Sequence, residues 1–265
     1  MTRRDELERV LRAAELSFRW AEPGSGEARL AYQCSGRPLL EVSVSLEPRI
    51  LRVVALGVLD PAVDAQLLSD RIAWTAHWRY GRIYYDPWAR RWDAGVGVFA
   101  PTTPAVTVLP TALLVLSDAV GMMQAGFPPF YPEAAPGPAV LDGLARQLAA
   151  RGLPLRPREQ GGWVVPVDLP LQGARARVEL SVRGALIAAT AWPDPARRAP
   201  PTGETIMALN QTNAIAQTGG VAYDFETGCP FAFVAYPWQV VDADTLHWMT
   251  GTAAGYAALL PGSVA

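Results

Sequence analysis

Residues 81–86 read GRIYYD, and residues 220–224 read GVAYD. Each stretch opens on glycine, ends on aspartate and leads to an apolar run, VGVFAP at 96–101 and AFVAYP at 232–237. Working outward, the rest of the layout repeats as well, at a spacing of about 136 residues. Leu7, Val10, Leu11 and Ala14 match Leu141, Leu144, Ala145 and Leu148, and the run at 40–46 matches the run at 174–182. Each half then closes on a long apolar helix. The two copies share almost no catalytic residue types, so the repeat points to a protein that presents surface rather than to an enzyme.

The periodicities give each copy its elements. Leu7, Val10, Leu11, Ala14 and Phe18 recur at helical spacing while Arg9, Arg12 and Glu15 face away. Leu40, Val42, Val44 and Leu46 alternate with Glu41, Ser43, Ser45 and Glu47, the pattern of a sheet with one wet face. Ala176, Val178, Leu180 and Val182 alternate with Arg175, Arg177, Glu179 and Arg183 in the same way. Pro48-Arg49 and Gly184 mark turns, and turns this short require antiparallel neighbours. A second helix is predicted over roughly 64–80 and 203–218, with Asp60-Pro61 and Thr202-Gly203-Glu204 as start signals. Asp242 and Asp244 suit the positive end of the last helix.

The expected fold is therefore α+β: two tandem α-β-β-β-α-β-β-α modules, antiparallel sheets with helices packed on them. The modules occupy 1–126 and 139–265, joined by the Pro-rich stretch 127–138 (FPPFYPEAAPGP), which favours a stiff, extended connection. Its shortness predicts that the modules dock, which would also cover exposed sheet edges.

Composition narrows the function. Half of the 265 residues are hydrophobic and the formal net charge is −2, the balance of a soluble globular chain. Residues 1–125 carry 14 Arg against 14 Asp plus Glu, so no basic surface is set aside for nucleic acid. All 23 basic residues are arginine, which reads first as a bias of the source genome. Cys34 and Cys229 stand at non-equivalent places and offer neither a disulfide framework nor a metal cluster. The start, MTRRDELERV, lacks the apolar core of a signal peptide, and Pro110 and Asp118 interrupt the apolar run 105–123. The expectation is a cytoplasmic protein with no membrane span.

At Leu209-Asn210-x-x-Asn213, followed by residues 220–224 and an apolar strand, the second copy resembles the YbjN family. Those bacterial proteins are similar in fold to class I type III secretion chaperones. By element order the resemblance covers residues 140–262. The first copy keeps the order but reads Ile72-Ala73-Trp74-Thr75-Ala76 where the asparagines would fall. The resemblance implies a non-enzymatic, chaperone-like protein without a cofactor. Members of the wider fold group pair as dimers and hold partner segments along apolar grooves, so a tandem chain would form a pseudo-dimer by itself, with room for a further homodimer.

The remaining constellations carry little chemistry. His77 and His247 have no Cys, Asp or Glu at metal-ligand spacing, and Ser117-Asp118 lacks the glycines of a nucleophile elbow. Gly95-x-Gly97 lies inside a strand, and Gly251-x-x-x-Gly255 permits close helix packing. No catalytic or metal residue is assigned. Trp74 and Trp78 share a helix face and are expected in the core or at the module interface, together with Asn210 and Asn213. Trp88 and Trp92, flanked by Arg90 and Arg91, combine the residue types that dominate binding hot spots and are the candidate partner-binding set. The function so read is binding or escorting a protein client; the alternative is a small-molecule or enzymatic cleft between the modules.

Overall fold

The computed structural model describes residues 2–47, 49–60, 62–78, 80–99, 105–125, 136–153, 155–157, 163–169, 174–183, 186–193 and 201–260. The first half runs α1 (Arg3–Ala13), β1 (Arg19–Trp20), β2 (Glu27–Tyr32), β3 (Leu40–Glu47), β4 (Ile50–Leu56), α2 (Ala65–Trp78), β5 (Arg82–Asp86), β6 (Arg91–Phe99) and α3 (Ala105–Gln124). The second runs α4 (Pro138–Ala150), β7 (Arg156–Pro157), β8 (Trp163–Leu169), β9 (Ala174–Arg183), β10 (Leu186–Trp192), α5 (Gly203–Ile215), β11 (Gly220–Asp224), β12 (Cys229–Pro237) and α6 (Ala243–Ala257).

The architecture is α+β with antiparallel sheets. Strand order is β1-β2-β3-β4-β6-β5 in one sheet, and the second sheet has the corresponding order, from β11 and β12 through β10, β9 and β8 to β7. One strand per half goes beyond the expected order. β1 and β7 are two-residue edge strands, too short to show any periodicity, held by pairings such as Arg19 with Arg29 and Arg156 with Val164.

Local chemistry sets the helix starts. Thr2 Oγ1 accepts from the Asp5 N–H at 3.2 Å while Asp5 Oδ2 accepts from the Thr2 N–H at 2.8 Å, a reciprocal cap that starts α1. That start aims Leu7, Val10 and Leu11 into the core. Thr202 caps α5 and Asp242 caps α6, as expected. α2 starts where the range 64–80 put it, but its start signal is Asp64 rather than Asp60-Pro61. Asp64 accepts from the Leu67 N–H at 2.7 Å, whereas Asp60 closes a turn onto Ala62.

The cores lie between sheets and helices. α1 packs on β3, α3 crosses β4 and β6, and α6 covers β10 and β12. α3 runs as one long apolar helix with Pro110 inside it, exposed in the second turn. By length and composition α3 could cross a membrane, but half of its most apolar window is buried in protein, and Asp118 receives Arg37 Nε at 2.8 Å. Residues 127–135 of the expected Pro-rich connection, and the turn residues Pro48 and Gly184, lie outside the described residues.

Candidate functional site: the seam and an open sheet edge

The two halves meet crosswise. α2 of the first half lies against β11 of the second, and α5 of the second lies against β5 of the first. From α2, Ala76 packs on a cluster of Ala222, Phe231 and Phe233.

Three polar residues organise this seam. The Asn210 amide spans the backbone of Tyr85, donating from Nδ2 to its carbonyl at 3.0 Å and accepting from its N–H at 2.7 Å. It thus completes the edge of β5 much as another strand would. Asn213 uses its amide within its own half, on the N–H and carbonyl of Val221 at 2.8 and 3.0 Å. Of the two expected interface asparagines, only Asn210 sends its side chain across.

The third residue is Arg82, which sequence reasoning missed. It is fully buried, and its guanidinium donates to Asn213 O at 2.7 Å, to Gly219 O at 3.3 Å and to Ala216 O. These carbonyls stand at and just beyond the C-terminal end of α5, where acceptors lack helical partners and the dipole favours a cation. Burial pulls the Arg82 pKa down to about 10, so the group still carries its charge at neutral pH. The signal was present in the sequence: an arginine inside the apolar run GRIYYD, matched by nothing similar in GVAYD.

Aligning Asp86 with Asp224 exposes the relation between the halves. Thr75 then corresponds to Asn213, and each serves the same backbone position. Thr75 Oγ1 accepts from the Ile83 N–H at 3.3 Å, as Asn213 does from Val221. Ile72 corresponds to Asn210, and Arg82 to Gly220. Further seam contacts include the Phe99 N–H donating to Tyr236 Oη at 2.9 Å, Phe99 stacked on Trp248, and Gly97 lying against the Gln217 backbone. The Tyr236 hydroxyl is held protonated, its pKa raised by burial.

Trp74 and Trp78 are placed differently from the seam assignment. They stand about 160–200° around α2 from Ala76. Trp78 is buried and closes over Gly81 of its own half, with Trp74 beside it at 5.7 Å between ring centroids.

The expected partner-binding set does not form one patch. Trp88 sits at the tip of the β5–β6 hairpin with 88% of its surface exposed. Asp86 Oδ1 shapes that tip by accepting from the N–H groups of Trp88 and Ala89, and Arg90 takes φ +50°. Trp92 corrects the expectation, since it is fully buried, packed on Tyr85, and donates Nε1–H to Ala62 O at 3.2 Å. Alternation along β6 explains this, because Trp92 points to the core while Arg91 and Asp93 point the other way. Arg91 Nε donates to Asp93 Oδ1 at 2.9 Å. The Asp93 pKa is nevertheless raised, because burial outweighs its bonds to Arg91 and to the Gly57 N–H.

A second feature lies at the far edge of the first sheet. β1 pairs with β2 only at Ala28 and Arg29, so among the described residues no strand follows β2 along residues 30–32 on that side. The Glu27 carbonyl accepts from the Ala21 N–H there, and strand alternation turns the N–H and C=O of Ala31 to the same open side. Beside this edge opens a recess of about 640 Å³ lined by Phe18, Arg19, Leu30, Leu39 and Leu40 among others, with Leu39 66% exposed. Next to it, Arg29 pairs with Glu27 at 2.7 Å and Arg19 with Glu41 at 3.5 Å.

Among the described residues no group of three or more His, Cys, Asp or Glu is gathered for a metal. The side chain of His77 lies outside the described residues. No family model matches the sequence, and neither a curated protein nor a solved structure matches the chain.

Proposed function

We propose that this chain is a non-enzymatic, chaperone-like protein of the cytoplasm that holds an extended segment of a partner protein. The observation that carries this reading is the open edge of β2 beside its apolar recess. An incoming strand would find backbone groups at Ala31 to bond and a pocket at Phe18, Leu30 and Leu40 for an alternate side chain. Trp88, on the β5–β6 hairpin at the opposite edge of the same sheet, supplies an exposed aromatic anchor. The polar residues with distinctive geometry (Arg82, Asn210, Asn213) bond to backbone, and this also favours a binding role. So does the resemblance of residues 209–213 and 220–224 to the YbjN family.

The test is affinity capture with the intact chain, Leu39→Asp and Trp88→Ala, alongside native mass spectrometry. A single protein retained by the wild type and lost by Leu39→Asp, with melting unchanged, would support the reading. A retained small molecule in place of a protein would replace it with the cleft alternative.

A further inference from the structure

At the seam the two edge strands bring equivalent positions together, yet the residues there are opposites. A Cβ built on Gly220 would stand 3.1 Å from Arg82 Cβ and 2.9 Å from Asn213 Oδ1. Their cross-strand neighbours are reversed in size as well. Arg82 pairs with Gly95, and the guanidinium lies 3.6 Å from where a Cβ on Gly95 would be. Gly220 pairs with Phe233, whose ring fills the space 3.2 Å from the missing Cβ. One side therefore presents a large cation over a glycine, and the other a glycine under a ring.

Only the mixed pair satisfies the chemistry. Two arginines would place two buried like charges together in a space that holds one. Two glycines would leave the carbonyls of Asn213, Ala216 and Gly219 without the donor they now share. We infer that Arg82 opposite Gly220 is a pairing code: the first half's edge accepts the second half's edge and refuses a second copy of itself. The partner this surface fits is the other half of the same chain, and the seam takes no second molecule. This holds whether or not the partner-binding reading is correct, since it concerns a different face.

The test uses the full chain as Gly220→Arg, Arg82→Gly, Arg82→Lys and the double variant Arg82→Gly/Gly220→Arg, with thermal unfolding and light scattering. Gly220→Arg is expected to lower the midpoint by about 10 °C or more. The double variant should recover the part of that loss due to the Arg82 side chain and the paired like charges, while the contacts of the new side chain with Asn213 and the Phe233 ring remain. Arg82→Lys should lose less than Arg82→Gly. A double variant no more stable than Gly220→Arg would overturn the code. So would equal losses for Lys and Gly at position 82.

Discussion

The β5–β6 hairpin and the β11–β12 hairpin share a turn and differ in cargo. In each, an aspartate closes the turn by accepting from the two N–H groups two and three residues on, Asp86 from Trp88 and Ala89, Asp224 from Glu226 and Thr227. The residue that must enter the left-handed region is Arg90 in one and Gly228, at φ +72°, in the other. One tip carries Trp88 and the other Glu226 in the same place. Where the strands meet the opposite half, Arg82 and Asn210 reach across, while their counterparts Gly220 and Ile72 have no such group to send. A common backbone thus tolerates strong asymmetry. Fused halves need not be self-complementary, as two halves of a homodimer must be.

The comparison breaks most sharply at Arg82. Arg82→Met leaves the end of α5 without its buried donor, and the expected loss is about 3–5 kcal/mol in urea unfolding. A loss below about 1 kcal/mol would mean that water or relaxation replaces the guanidinium. Next comes Asn210→Leu, which gives the second half the apolar residue type of Ile72. Two backbone groups of Tyr85 lose their partners, with an expected loss of about 2–3 kcal/mol and faster amide exchange at Tyr85. Arg90→Gly makes the first turn resemble the second and should gain about 0.5–1 kcal/mol, whereas Gly228→Ala should lose about 1 kcal/mol.

The smallest effect is a pH dependence at Asp93, which has no acidic counterpart at Phe231. Its raised pKa means that the folded state holds the proton to higher pH than the unfolded chain does. Its contribution therefore falls as pH rises from the ordinary value of 3.8 through the raised one, and acidification relieves the strain of burying the charge. Asp93→Asn should flatten that component, seen as a difference in urea midpoint between about pH 4 and about pH 7 that narrows relative to wild type.

Much of the fold was legible in residues 40–46 and in the paired runs at 81–86 and 220–224, because alternation and glycine-bounded turns are local. The two-residue strands β1 and β7 were not legible. Each exists through two residue pairs with one neighbouring strand and leaves no period in the chain. At the candidate site, Trp88 is exposed and Trp92 is buried. Composition flagged both, but Trp88 stands on the turn between β5 and β6 while Trp92 falls on the core side of β6, and residue type alone does not separate the two. Asn210 reaches across the seam, but nothing local named Tyr85 as its partner, 125 positions away. Leu39 and the recess at the edge of β2 drew no notice, since an open edge is defined by which strand fails to continue.

The amino-acid order alone determined that this chain repeats one pattern of helices and antiparallel strands. That property follows from periodicity, which is local. The tertiary structure decided that the halves join crosswise, that Arg82 serves three carbonyls at and beyond the end of a distant helix, and that among the described residues no strand follows β2 past Arg29 on its outer side. Each of these depends on groups remote in sequence, whose unmet hydrogen-bonding capacity appears only once both backbones are in place.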